Sequence, residues 1–169
     1  MRQVSFTDMA DVLQSLVGST VRQTRIRAGS FLLIDVDYLD DLNGTAIDGH
    51  EPLIWAYMTA WRLMCDGAVM AASEDDLDRM KSAAESLAGK QVTSIEVEQE
   101  AMDLRVCFGN VSLVTFSSHT LLSEEGGMEV EWAAWIPGAK VAYSMPRYGA
   151  IDSSVRSDLT RQRANMDQY

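Results

Sequence analysis

Two short turn sequences constrain the fold of this chain more than any other feature. Asp66-Gly67 separates the apolar segment 53–65 from the run AVMAA, and Gly109-Asn110 separates the apolar segments 102–108 and 111–117. Such pairs favour two-residue hairpin loops, because the type I′ turn needs positive φ at both central residues. Strands joined by so short a loop are antiparallel neighbours. The chain is therefore predicted to be α+β, with a mainly antiparallel β-sheet.

Two main α-helices are predicted beside the sheet. The first, 6–17, has apolar residues at helical spacing behind Ser5 or Thr7 as N-cap and ends at Gly18. The second, 74–88, follows Ser73 as N-cap and ends at Gly89. Its predicted buried stripe consists of Leu77, Met80, Ala84 and Leu87.

The remaining apolar segments are predicted to be strands. They are 21–27, 31–36, 91–98, 102–108, 111–117 and 128–136. Segment 53–65 fits a helical face as well as a period of two. Its aromatic content and the Asp66-Gly67 turn behind it decide for strand.

An internal similarity links the two halves of the sequence. Leu16-Val-Gly-Ser-Thr-Val21 and Leu87-Ala-Gly-Lys-Gln-Val92 share Leu, Gly and Val at the same spacing, and each follows a predicted helix and opens a strand. This suggests two duplicated helix-plus-hairpin halves. The 169 residues are interpreted as one domain over 1–149 and a polar tail over 150–169, which is expected to fray or to order only against a partner.

The charge excludes several kinds of partner. The formal net charge is −11, whereas binding to nucleic acid or to an anionic membrane needs a positive surface. No segment resembles a secretory signal or approaches the length of a membrane span, so a soluble cytoplasmic protein is expected.

One stretch of the sequence concentrates carboxylates without a basic residue among them. Its members are Asp35, Asp37, Asp40, Asp41, Asp48 and Glu51. Three interpretations are open: a solvated acidic loop, a docking surface for a basic protein, and a metal or catalytic carboxylate pair. The spacing does not fit a helix-loop-helix calcium site, since the sixth position after Asp35 is not glycine.

Aromatic residues cluster on two predicted strands. Trp55 and Trp61 lie in one, Trp132 and Trp135 in the other, and a buried core is the default for aromatics on a sheet. Trp132 and Trp135 differ by an odd number and point to opposite sides of a regular strand, so one of them could anchor a partner. Arg25 and Arg27 are expected to line a solvent face.

Signatures of an enzyme or of a cofactor site are not found in the sequence. It contains no phosphate-binding glycine loop, dinucleotide fingerprint, zinc-protease motif or serine elbow. Cys65 and Cys107 are isolated and are expected to be buried hydrophobes rather than a redox pair. The chain is predicted not to be an enzyme and to need no cofactor or metal. If the chain were an enzyme, its only candidate catalytic residues would be Asp35, Asp37 and His50.

Five segments carry a resemblance to a known group. GSFLLIDV (29–36), WAYMTAWRL (55–63), SEDD (73–76), LAGKQV (87–92) and DLRVCFGN (103–110) resemble a family of small bacterial proteins without an assigned enzyme activity. Their setting is similar to that of immunity proteins, which neutralise toxins exchanged between competing bacteria. The resemblance covers roughly residues 16–117 and implies core and turn positions rather than site residues.

Charge and resemblance together predict an immunity-type inhibitor. Toxins that act on nucleic acids need basic clefts, and an acidic inhibitor complements such a cleft and associates faster. The acidic stretch, with Trp132 and Trp135, is the predicted binding surface for a basic toxin domain. The alternative is a non-enzymatic binding or scaffold module, or a homo-oligomer, that uses an aromatic strand face.

Overall fold

The computed structural model describes residues 2–3, 5–27, 29–37, 53–56, 59–99, 101–116, 130–136, 141–146 and 152–155. These residues form two helices and twelve strands. The helices are α1 (Phe6–Gln14) and α2 (Leu77–Glu85). The strands before α2 are β1 (Arg2–Gln3), β2 (Thr20–Arg27), β3 (Phe31–Asp37), β4 (Leu53–Ala56), β5 (Ala60–Cys65) and β6 (Ala68–Ala72). Those after it are β7 (Ser94–Val97), β8 (Leu104–Phe108), β9 (Val111–Phe116), β10 (Val130–Ile136), β11 (Val141–Pro146) and β12 (Asp152–Val155).

The strands form two antiparallel sheets. The first sheet has seven strands in the order β1-β12-β11-β10-β4-β3-β2. The second sheet has five strands in the order β6-β5-β9-β8-β7. Neighbouring strands are antiparallel throughout. The predicted α+β class, mainly antiparallel sheet with two helices, is confirmed.

Both predicted hairpin turns are present in the second sheet. Asp66 and Gly67 have φ of 49° and 82° and join β5 to β6, as a type I′ turn requires. Gly109 has φ of 70° and joins β8 to β9, while Asn110 has negative φ. Positive φ at the first central residue alone is the pattern of a type II′ turn.

Residues 53–56 and 60–65 of the segment 53–65 are strands, as predicted, but these two strands belong to different sheets. β4 lies in the first sheet and β5 in the second. The chain crosses from one to the other near Thr59, a buried residue whose hydroxyl donates to the Phe116 carbonyl at 2.9 Å. Because both strands alternate with the same period, the sequence does not reveal this change of sheet.

The start of α2 differs from the prediction. Asp76, not Ser73, is the N-cap, and its Oδ1 accepts the backbone N–H of Arg79 at 2.9 Å. Leu77 is therefore the first residue of the helix, and its side chain is 44% exposed rather than buried. The buried side of α2 is formed by Met80, Ala83 and Ala84.

The structure repeats itself with an offset of 71 residues. α1 starts at Phe6 and α2 at Leu77, and both span 9 residues. Met9 and Met80 occupy the same buried position of the two helices. Their first turns are capped alike, since Ser5 Oγ accepts the Asp8 N–H at 3.1 Å just as Asp76 caps α2. The duplication suggested by the sequence is thus present in the fold.

The two halves meet through reciprocal backbone hydrogen bonds. Gly18 N–H donates to the Val92 carbonyl, and Gly89 N–H donates to the Val21 carbonyl, each at 2.8 Å. Val92 N–H donates to Ser19 and Val21 N–H donates to Lys90, also at 2.8 Å. When each residue in these four hydrogen bonds is replaced by the residue 71 positions away, the same four hydrogen bonds result. The segments 18–21 and 89–92 therefore pair as equals at the centre of the repeat.

Each half supplies a hairpin to the sheet of the other half. In the first sheet, the hairpin β10–β11 of the second half pairs with the edge of β2, β3 and β4 from the first half. In the second sheet, the hairpin β5–β6 of the first half pairs with the edge of β7, β8 and β9 from the second half. The registers agree, since Trp132 pairs with Ala56 on β4 while Trp61 pairs with Thr115 on β9. Trp61 and Trp132 are again 71 positions apart.

These two tryptophans link the sheets to each other. Trp61 lies on β5 in the second sheet, and its Nε1 donates to the Ser30 carbonyl in the turn before β3 of the first sheet, at 2.6 Å. Trp132 lies on β10 in the first sheet, and its Nε1 donates to the Met102 carbonyl ahead of β8 of the second sheet, at 3.0 Å. Both side chains are buried in one core cluster that draws on both sheets and both helices. The prediction of Trp132 as a partner anchor was wrong, because its indole already has this internal role.

The C-terminal segment contributes to the first sheet. Asp152–Val155 form β12, which pairs with β11 on one side and with β1 on the other. The predicted fraying of the tail 150–169 was wrong for these four residues. Their side chains are mostly small and polar, so the sequence shows no apolar alternation that would predict a strand. The other residues of that tail lie outside the described ranges.

We expect Gly18→Ala and Gly89→Ala to destabilise the protein by similar amounts, about 1–2 kcal/mol each. Both glycines have positive φ, 94° and 78°, and a Cβ at either would meet nothing within 4 Å, so the cost is backbone strain and not a clash. Urea denaturation measures it, with the exposed Ser82→Ala as control. Unchanged midpoints for both glycine variants would contradict the strain.

Candidate interaction surfaces

The outer faces of the two sheets, which point away from the shared core, differ strongly in exposure. On β3, Leu32 and Ile34 belong to the core cluster, so Leu33 and Asp35 point outward by strand alternation. Leu33 and Asp35 are nevertheless buried, and so is Trp55, the cross-strand neighbour of Leu33. The part of this outer face formed by β3 and β4 is thus buried at Leu33, Asp35 and Trp55.

Asp35 is the centre of a buried polar cluster on this face. Its Oδ2 accepts from Arg25 Nη2 at 2.7 Å and from Gln23 Nε2 at 2.8 Å, and its Oδ1 accepts from the same Arg25 nitrogen at 3.0 Å. Asp35 is 0% exposed and the Arg25 side chain 21%. The register explains the contact, because Gln23 is the cross-strand neighbour of Asp35 and Arg25 follows on the same face.

This cluster corrects the interpretation of two residues. Asp35 does not belong to a solvated acidic surface, since its carboxylate is buried and both of its oxygens are engaged. Arg25 does not simply line a solvent face, because it neutralises Asp35. The arrangement favours a structural role, in which the ion pair fixes the register of β2 against β3, over the enzymatic alternative that places Asp35 in a catalytic nucleus.

The other predicted binding residues are only partly placed. Asp37 ends β3 and is exposed. Trp135 lies on β10, where it pairs with Leu53 and Ala142, and its side chain lies outside the description. Asp40, Asp41, Asp48 and Glu51, as well as His50, lie outside the described residues.

The outer face of the second sheet is accessible. We call this surface the open face and define it by its outward-pointing residues Arg62, Met64, Val69, Arg105, Ser112, Val114 and Phe116, of which Val114 is only 7% exposed. Val69 is 45% and Phe116 37% exposed, which is unusual for large apolar side chains of the described residues. The guanidinium of Arg62 lies over the Phe116 ring, 5.0 Å from its centroid. Such cation–π contacts hold both groups in place without removing the arginine donors from solvent.

The repeat makes the contrast between the faces direct. Trp55 and Val114 occupy equivalent places in the two sheets, as do Leu33 and Arg105. Asp35 corresponds to Cys107, which is half-buried. The contrast in exposure lies in two of these pairs, because Leu33 is buried while Arg105 is exposed, and Asp35 is fully buried while Cys107 is only half-buried. Trp55 and Val114 are both buried. Sequence reasoning missed this surface, although Arg62 and Arg105 between buried neighbours are a strand signal for it.

Side chains from the helices cap the edges of the second sheet. Gln14 Nε2 donates to the Ile95 carbonyl on the edge strand β7 at 2.6 Å. Arg79 Nε donates to the Met70 carbonyl on the opposite edge strand β6 at 2.8 Å. Edge carbonyls satisfied in this way are less available to an added strand. The face of the sheet is therefore a better candidate for recognition than its edges.

The two cysteines are free and half-buried. Partial loss of solvent raises the pKa of the Cys65 thiol, and the neighbouring Asp66 carboxylate, 3.5 Å from the sulfur, raises it further. Asn110 Nδ2 donates to both Cys65 Sγ and Asp66 Oδ2. A raised pKa leaves less thiolate at neutral pH, so this environment disfavours a nucleophilic cysteine.

Within the described ranges, no three or more His, Cys, Asp or Glu side chains come together as metal ligands would. Neither helix in that part of the chain has the length and apolar character of a membrane span.

We expect Asp35→Asn to lower the free energy of unfolding by about 2–3 kcal/mol, because it leaves the partly buried Arg25 without its counter-charge. Asp37→Asn makes the same change two residues away at an exposed position and should cost within about 0.5 kcal/mol. Thermal or urea denaturation compares the two. Equal stability of the variants would show that the ion pair does not contribute to the fold.

We expect Asp66→Asn to accelerate alkylation of Cys65. Asparagine tolerates the positive φ of this turn position. Removal of the carboxylate lowers the pKa of the thiol, so the rate profile should shift to lower pH and more thiolate should react at any pH below the original pKa. Mass spectrometry after iodoacetamide treatment measures both cysteines, with Cys107 as internal reference. An unshifted profile would exclude Asp66 as a cause of the raised pKa.

No protein-family model, curated protein or solved structure matches this chain. Its function is therefore argued from its own geometry and charge.

Proposed function

We propose that this protein is a non-enzymatic binding module that docks another protein on the open face of the second sheet. The observation that carries the proposal is the contrast between equivalent faces of one repeated unit. At equivalent positions, Leu33 on β3 is buried whereas Arg105 on β8 is exposed, and the open face also exposes Val69 and Phe116. A sheet face with exposed apolar residues gains free energy when a partner covers it.

The composition of the open face suits a protein partner. Arginine and aromatic residues are enriched among the side chains that dominate binding energies. Arg62 and Phe116 are stacked on each other before any partner arrives, so little side-chain entropy remains to be lost on binding. Ser112 and Met64 beside them are partly exposed and add to the area that a partner can contact.

A second candidate function is inhibition of a basic toxin, as immunity proteins perform. It is favoured by the net charge of −11 and by exposed carboxylates on several elements, among them Asp8 and Asp11 on α1, Asp37 at the end of β3 and Asp78 on α2. Opposite charges would speed the encounter with a cationic cleft. The acidic stretch from Asp37 to Glu51, rather than the open face, would then carry the contact.

One experiment distinguishes the two candidates. The experiment uses three tagged proteins, which are incubated with extract of the source organism at low and high ionic strength. They are the wild type, a face variant and an acid variant. The face variant carries Val69→Ser and Phe116→Ser, and the acid variant carries Asp37→Asn, Asp40→Asn, Asp41→Asn and Asp48→Asn. A protein lost by the face variant and kept by the acid variant supports docking on the open face.

The opposite outcome supports the toxin inhibitor. A partner lost by the acid variant and released by salt would place the contact on the acidic surface, because salt screens exposed charges. Circular dichroism and thermal melts of both variants serve as controls for folding. Retention by both variants under all conditions would reject both surfaces.

A further inference from the structure

We propose that the open face recognises a partner segment in which carboxylates flank an apolar side chain. This inference rests on the proposed function and adds the chemistry of the partner. It follows from the arrangement of charge on a surface that, in an acidic chain, carries more arginine than carboxylate.

Two arginines and a valine form one row across three strands. Val114 on β9 pairs with Arg62 on β5 and with Arg105 on β8. Adjacent strands lie about 4.8 Å apart, so the two arginine Cα atoms are separated by about 10 Å. Val114 itself is buried, so the accessible apolar group beside this row is Phe116, two residues further along β9. Two exposed cations beside this apolar group are complementary to an apolar side chain between two carboxylates.

The described part of the chain does not neutralise these two guanidinium groups. Among the described residues, no carboxylate lies within ion-pair distance of Arg62 or Arg105. Glu96 is the cross-strand neighbour of Arg105, yet the two form no salt bridge. The contrast with Arg25 is informative, since that arginine, on β2 of the first sheet, has its counter-charge in the buried Asp35. The open face thus offers planar fork donors suited to carboxylate.

A second copy of this chain, placed face to face, is a poor occupant. With a two-fold axis parallel to the strands through Val114, β5 of one copy faces β8 of the other and Arg62 meets Arg105. With the axis across the strands along the row, each arginine meets its own counterpart. Either arrangement brings like charges together as the surface loses water, which is unfavourable. The occupant is therefore a different protein with acidic and apolar residues.

Two synthetic amphipathic peptides test this directly. One alternates glutamate and leucine residues, and the other has lysine in every glutamate position. Titration into the isotopically labelled full chain, followed by amide chemical shifts, should show tighter binding of the glutamate peptide, with shifts at Arg62, Val114 and Phe116. Arg62→Gln with Arg105→Gln should weaken that binding about tenfold, which corresponds to about 1.4 kcal/mol.

A matched control removes the same charge elsewhere. Arg27→Gln with Lys81→Gln alters two exposed cations outside the open face and should leave the affinity unchanged. Equal binding of the two peptides, no binding of either, or equal weakening by both double variants overturns the proposal.

The proposed function can fail separately. If a captured partner is lost by the Val69→Ser and Phe116→Ser variant but kept by the Arg62→Gln and Arg105→Gln variant, docking on the open face stands and the carboxylate chemistry is rejected. If the face variant keeps the partner, docking itself is rejected.

Discussion

Four backbone hydrogen bonds between the segments 18–21 and 89–92 hold the two halves of this protein in register. They follow directly after Leu16 and Leu87, which are buried in the shared core, so the end of each helix is anchored where the halves meet. The glycines at 18 and 89 permit this geometry, because their positive φ turns each chain out of its helix and into the pairing. The exchanged hairpins and the reciprocal tryptophans are consistent only with halves placed in this way.

The sequence was sufficient to predict the local elements. Both hairpin turns, the strands of each half and the second helix follow from turn chemistry and apolar periodicity, and the shared Leu-x-Gly spacing indicated the repeat. Long-range features were not predictable, because strand patterns do not specify their partners. The separation of 53–65 into two sheets and the position of Trp132 between the sheets depend on that pairing. The burial of Asp35 depends on the β2–β3 register, which places Arg25 and Gln23 beside it.

The candidate surface was harder to predict than the fold. Charge density drew attention to the acidic stretch, whereas Arg62 and Arg105 are single residues among apolar neighbours in the sequence. They become a pair only when β9 lies between their strands and aligns both with Val114. The core positions of the two halves are similar in character, but the outer faces of their sheets differ. The same repeated unit therefore presents a surface that is buried at β3 and β4 on the first sheet and an accessible surface on the second. The proposed docking surface is the face on which the two copies diverge.

The exchange of hairpins has a consequence for synthesis of the chain. β4 finds its partner β10 only after more than seventy further residues have been added, so on the ribosome the first sheet lacks its centre while β2, β3 and β4 are already available. Pairing over such a distance in sequence is slow, and an unpaired strand edge invites association with other nascent chains. Synthesis of the second half completes both sheets. In the second sheet β9 pairs with β5, and in the first sheet β10 pairs with β4. Folding is therefore expected to become cooperative late, as one event for the whole protein, and loss of either hairpin should affect both sheets.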